Sequence, residues 1–191
     1  MEEAAEHIRA TSFAYLPLRN FVPRLQEIIE LKPILGVRSP VNTFARMINP
    51  FNAACEMQTV FHPNYRDVHR DTAELLGQKH MAVFKGEGGE AERRPHKPVV
   101  VQYLHDGVKS EEQWPALVAE NAFYKDETMD ITRLPKIWYG DETDVYGEAA
   151  VIGTTAYVLR LMGRASSPAE AVEHARSLWN TRNRAQLFQA A

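Results

Sequence analysis

The stretch GVRSPVNTFARMINPFNAACEMQTVFHP, Gly36 to Pro63, is where the fold is decided. Gly36 fits the left-handed position just past a helix end, and a helix is predicted before it from Pro23, with Leu25, Ile28, Ile29 and Leu31 on one stripe. Val41, Phe44, Ala45 and Ile48 predict a second amphipathic helix, stopped at Asn49-Pro50 because the residue before proline avoids helical geometry. Met57 to Phe61 then reads as an alternating or buried strand ending at His62-Pro63.

Toward the start, Glu2 to Arg9 reads as the end of a helix and Ser12 to Pro17 as a short buried strand halted by proline. Downstream, Tyr65, Val68, Thr72, Leu75 and Leu76 recur at helical spacing and predict the buried stripe of a helix capped by Gly77. His80 to Phe84 is another apolar strand, and strand, helix, strand implies a parallel crossover. Val99 to Leu104 is a third strand, turned by Asp106-Gly107. Residues 108–146 are acidic and weakly periodic, which predicts loops and short helices. Glu148 to Met162 is a long apolar helix, and Ser167-Pro168-Ala169-Glu170 is a capping box that opens a last helix reaching Asn180. The pattern is that of an α/β domain, a mostly parallel sheet flanked by helices.

With 191 residues, 45% of them hydrophobic and 25% charged, the chain has apolar surface for one globular domain. Its opening, MEEAAEHIRA, is acidic and lacks the basic-then-apolar layout of a secretory signal, and no run approaches the ~18 apolar residues of a membrane helix. A cytoplasmic protein with no membrane partner is expected. Cys55 has no cysteine to pair with and reads as a small packing residue. The net charge of −3 is unevenly spread, and residues 36–100 form the only net-basic third. Seven of its nine Lys and Arg residues are candidates: Arg46, Arg66, Arg70, Lys85, Arg93, Arg94 and Lys97. Arg66 and Arg70 share a helix face away from the apolar stripe, so a cationic strip for phosphate backbones is one reading and a solvated, ion-paired surface the other.

The combination Gly36-Val37-Arg38-Ser39, Asn42, Asn49-Pro50, Gln58 and Val60-Phe61-His62-Pro63 resembles the central signature of the anthranilate phosphoribosyltransferase-like superfamily (glycosyl transferase family 3). Phe84 to Glu92 and Gly147 to Gly153 look similar to its divergent YbiB-type branch. The resemblance implies a three-layer α/β domain preceded, in family members, by a helical domain and glycine-rich phosphate loops. Neither a Gly-Thr-Gly-Gly-Asp cradle nor a Lys-His-Gly-Asn segment occurs in this sequence, so the chain is expected to be a truncated single domain, residues 1–191, dimerising only if the helical domain is supplied. Arg38, Asn42, Asn49 and Pro50 keep the family frame, with Asn42 and Asn49 expected to bond loop backbones.

The same resemblance marks what has changed. The family's magnesium-binding Asp-Glu pair aligns with Ala91-Glu92, leaving Glu87, Glu90 and Glu92 as candidate magnesium ligands or plain solvated acids. The acceptor-site arginine becomes Lys32, which cannot form the planar bidentate pair with a carboxylate, and the pocket-shaping Gly-Pro becomes Ala45-Arg46. His62 follows a strand directly but has no evident partner and reads as a turn residue. The expectation is a relative without transferase activity, no catalytic residues and no obligatory cofactor, acting as a sequence-independent nucleic-acid binder as the YbiB-type branch does. The alternatives are a transferase whose donor site is completed by another segment or partner chain, and an inactive fragment.

Overall fold

The computed structural model describes residues 1–87, 90–122 and 130–185. They fall into two compact units, Met1–Pro50 and Phe51–Ala191.

The first unit is helical: α1 (Glu2–Thr11), α2 (Leu18–Phe21), α3 (Pro23–Glu30), α4 (Lys32–Leu35) and α5 (Val41–Phe44), the last continued by a 3-10 turn at Ala45–Met47. The helix predicted from Pro23 to Gly36 is broken at Leu31, because Pro33 has no N–H to return to the preceding turn. Gly36, at φ +70°, takes the predicted left-handed cap. The strand expected over Ser12 to Pro17 does not form: the segment is irregular, and Phe13 and Tyr15 are exposed. Within this unit only Ala4 and Val41 are buried.

The second unit is built on a four-stranded sheet in the order β1 (Cys55–Val60), β2 (His80–Lys85), β3 (Val99–His105) and β4 (Val108–Trp114). The α/β class stands. The sheet is mixed, however: β1 and β2 are parallel through the crossover helix α6 (Arg66–Leu75), while β2–β3 and β3–β4 are antiparallel. β4 lies where loops were expected. Asp106 and Gly107 both have positive φ, +47° and +80°, which is the two-residue hairpin turn that Asp-Gly favours. The strand it creates is polar and mostly exposed, so hydropathy gave no sign of it.

Beyond the sheet lie α7 (Arg133–Tyr139), α8 (Val145–Leu161) and α9 (Pro168–Thr181). Ala82, Phe84, Val101, Tyr103 and Trp114 pack against Ile152, Ala156, Tyr157 and Leu161 of α8 and Ala171 and Ala175 of α9. On the other face Val60, Met81, Val83 and Leu104 meet Ala73 of α6. α6 is turned over relative to expectation. Its apolar stripe faces outward, with Val68, Leu75 and Leu76 exposed, and it buries His69 and Ala73. Hydrogen bonds with the sheet hold it that way: His69 Nδ1–H donates to Gln58 Oε1 (2.7 Å), Gln102 Nε2 donates to Asp67 Oδ1 (3.0 Å), and Arg66 Nη1 donates to the Val100 carbonyl (3.0 Å). Among the described residues no helix is long and apolar enough to cross a membrane.

Candidate functional site

The parallel strands β1 and β2 both end at the same edge, where ligands bind in open α/β sheets. β2 runs out into Lys85-Gly86, and the Gly86 N–H donates to the Val60 carbonyl (3.1 Å), drawing the following loop against β1. Only glycine permits this. A Cβ on Gly86 would stand 2.4 Å from the Glu90 carbonyl oxygen and 2.8 Å from Thr59 Cβ.

That loop lines a cleft of about 630 Å³ with Glu87, Glu90, Glu92, Arg94, His96 and Lys97, closed by Glu120 and Tyr146. Such a volume matches a small-molecule site. Arg94 Nη1 pairs with Glu87 Oε2 at 2.9 Å, and Lys97 Nζ lies 4.0 Å from Glu120 Oε1. Burial, and then the neighbouring Glu90, raises the Glu92 carboxyl above its ordinary range. Burial, followed by Lys97 and Arg94, lowers His96 and favours its neutral form. The His96 and Tyr146 rings lie 5.6 Å apart, and burial with Glu92 nearby raises the Tyr146 phenol. The cleft therefore offers carboxylate acceptors and cationic donors side by side.

The loop is anchored by Arg93. This side chain has no exposed surface; its guanidinium carbon sits 5.2 Å from the ring centroids of both Trp114 and Tyr157. Nη2 donates to the Pro115 carbonyl, and the Arg93 backbone N–H donates to Thr154 Oγ1 (3.0 Å). Arg93 is thus a core residue and no part of a surface strip. The remaining cations are engaged too. Arg66 Nε donates to the Pro63 carbonyl (3.1 Å), and Arg70 pairs with Asp67 (2.9 Å) and Asp71 (3.4 Å). Lys85 Nζ donates to the Phe61 carbonyl (2.8 Å) and lies 4.7 Å over its ring. Arg94 and Lys97 are the two that reach the cleft.

Arg46 belongs to the first unit, where it donates to the Asn42 carbonyl at 3.4 Å; burial and the nearby Arg38 lower its pKa. Lys32 is exposed on α4, and Ala45 opens the 3-10 turn. Asn42 Oδ1 is buried without a hydrogen-bond partner, while Pro50 closes the unit. Magnesium does not find a prepared site: among the described residues no three His, Cys, Asp or Glu side chains gather to hold a metal ion, and Glu87 is committed to Arg94. Sequence reasoning missed Glu120, His96 and Tyr146. The first and last lie far from the loop in sequence, and no local pattern marks them.

The chain matches no family model. Its relatives include an uncharacterized protein of Aquifex aeolicus, 30% identical over 97 residues, which are 51% of this chain and 31% of the relative. The anthranilate phosphoribosyltransferase of Polynucleobacter necessarius is 32% identical over 101 residues, 53% of this chain and 29% of the enzyme; that of Bordetella pertussis is 30% identical over 110 residues, 58% and 32%. In fold, the crystal structure of anthranilate phosphoribosyltransferase from Thermus thermophilus superposes with a TM-score of 0.68 at 20% identity, covering 92% of this chain and 54% of that one. The chain is similar to part of the anthranilate phosphoribosyltransferases in sequence, and to the Thermus enzyme in fold. The match spans about a third of these curated relatives and about half of the Thermus chain. An anthranilate phosphoribosyltransferase-like fold explains the cleft's position, at the carboxyl ends of parallel strands joined by a crossover helix.

Proposed function

We propose that this chain binds a phosphorylated pentose of the phosphoribosyl pyrophosphate class in the cleft lined by Glu87, Glu90, Glu92, Arg94, His96 and Lys97, and that it does not itself turn the ligand over. The cleft carries the reading: Lys97, and Arg94 on leaving its pair with Glu87, can meet phosphate while Glu90, Glu92 and Glu120 accept from sugar hydroxyls. Turnover is left out of the reading for residues 1–191 because the resemblance puts Ala91-Glu92 in the place of the magnesium pair and these residues contain no glycine-rich cradle for pyrophosphate. A segment or chain supplying that cradle would convert the binder into a transferase. A cytoplasmic location, where such metabolites occur, belongs to the same reading. Isothermal titration with phosphoribosyl pyrophosphate, with and without magnesium, tests it. Saturable binding that weakens in R94A and K97A is expected; absence of heat in both conditions overturns it.

A second reading, nucleic-acid binding of the YbiB type, is favoured by a different observation. Phe61, His62 and Tyr65 are exposed together after β1, with Phe61 and His62 ring centroids 4.8 Å apart and Lys85 over Phe61. Exposed aromatics beside a cation suit stacking on single-stranded bases. This footprint replaces the seven-cation strip, from which Arg93 is removed by burial. Fluorescence anisotropy with an oligothymidine at low salt is expected to show binding that falls with salt and with F61A; no binding at low salt removes this reading.

A further inference from the structure

β2 opens on His80 and β3 closes on His105, and the two are cross-strand partners in the ladder, so both side chains leave the same face. Their Nδ1 atoms are 3.3 Å apart, and their rings are inclined at 53°. His105 is stacked on Tyr103 at 5.6 Å and 17°, which steadies its ring. Its Nε2 is buried without a hydrogen-bond partner. On the outer side, Asp106 Oδ2 lies 4.0 Å from His80 Nε2. This pair stands at the opposite end of β2 from the cleft, roughly 17 Å away along a six-residue strand, and the cleft makes no use of it.

We propose that His80 and His105 form a two-histidine clamp for a borderline divalent transition-metal ion of the zinc type. The spacing is the argument. With zinc–nitrogen bonds of about 2.05 Å, two nitrogens 3.3 Å apart subtend roughly 107° at the ion, close to the tetrahedral angle. Between neutral rings, one Nδ1–H now serves the other Nδ1 lone pair. When both Nδ1 atoms ligate, that proton moves to Nε2 of the same imidazole, with no net release. On His80 the Nε2–H then faces the Asp106 carboxylate across 4.0 Å, which places an opposite charge behind the imidazole without a direct hydrogen bond. Because no third described side chain is already gathered there, water fills the remaining positions. The clamp is therefore an accessible site and not a closed structural one. Cys55, the register partner of His80 in β1, lies in the same row and is the competing explanation for any zinc uptake.

The test is titration of zinc chloride into the full chain by calorimetry, with melting temperature read in parallel. One equivalent is expected to bind and to raise the melting temperature, an effect reversed by chelator. The binding is expected to be lost in H80N and in H105N and kept in H7N, which changes an exposed histidine on α1, and in C55S. No binding, equal binding in H80N and H105N, or loss in C55S alone would overturn the clamp. Should an asparagine variant fail to fold by circular dichroism, the wild-type chain decides: substoichiometric cobalt(II) must broaden the imidazole signals of His80 and His105 first, and broadening of other histidines instead counts against it.

Discussion

Gly153 and Arg93 fit one another at the level of single atoms. A Cβ on Gly153 would lie 2.5 Å from Arg93 Cδ, which cannot withdraw far in a packed core, and 3.2 Å from Cδ1 of the half-buried Leu117. G153A is expected to cost about 1–3 kcal/mol in urea denaturation, the usual range for overpacking. The penalty should vanish in an R93A background, since a double-mutant cycle isolates contacts between touching residues; an unchanged penalty would mean that Leu117 or the helix backbone is responsible. Arg93 is itself a buried cation whose Nε and Nη1 have no hydrogen-bond partner, and burial lowers its pKa. Replacing such a charge by an apolar side chain of similar length is often neutral or stabilising, whereas truncation leaves a cavity. R93M is therefore expected to stay within about 1 kcal/mol of the parent, and R93A to lose roughly 2–5 kcal/mol. The reverse order would show that the guanidinium contributes more than its volume. Two imidazoles add a pH dependence. Burial, then His80 and Arg160, lowers the His105 pKa from 6.5, and His96 is lowered likewise. Below 6.5 the unfolded chain takes up protons that the folded chain refuses, so this stability is whole above 6.5 and is lost as pH falls beneath it. Comparing urea midpoints from pH 7.5 down to 5.5, H105N should fall less than the parent; parallel curves would rule the effect out.

At the scale of elements, what the sequence revealed depended on whether the signal was local. α9 was legible because its cap is local: Ser167 accepts from the Glu170 N–H (3.3 Å), although Glu170 returns its bond to Ser166 (2.7 Å), one residue earlier than the standard box. S167A is expected to cost about 1 kcal/mol, and a variant melting like the parent would assign the cap to Glu170 instead. α8 was legible from its apolar run, and Asp144 caps it by accepting from the Gly147 N–H at 2.8 Å. α6 was legible as a helix but not in its facing. Periodicity placed Val68 and Leu75 inside, whereas Gln58, Gln102 and the Val100 carbonyl, from strands distant in sequence, select the polar side. It follows that V68S and L75S should change stability by no more than about 0.5 kcal/mol, as exposed positions do. H69A should cost about 1–3 kcal/mol by stranding the buried Gln58 amide. The site shows the same division. The acidic glycine loop could be read directly, but Arg93 looked like any other basic residue because Trp114 and Tyr157, which enclose it, are far along the chain.

Across the whole molecule, burial is distributed unequally between the two units. Residues 51–191 hold the packed clusters on both faces of the sheet, with Met81, Ala82, Val83, Phe84, Val101 and Leu104 wholly inside. Residues 1–50 bury only Ala4 and Val41 and leave Ile34, Leu35, Val37 and Phe44 exposed. A unit of that length with so little apolar surface withdrawn from water has small intrinsic stability, since burial must offset about 1–2 kcal/mol of backbone entropy for each ordered residue. Native-state hydrogen exchange should therefore separate the units. Amides of α1, α3 and α5 are expected to exchange through local openings at low denaturant, while those of β2 and β3, hydrogen-bonded on both sides, exchange only with global unfolding. The fold likeness covers 92% of the chain and so includes most of the weakly packed unit. If the helical amides proved as protected as those of β2, exposed side chains such as Ile34 and Phe44 would have to be covered in solution by a second copy of the chain. A concentration dependence of that protection would then reveal the association.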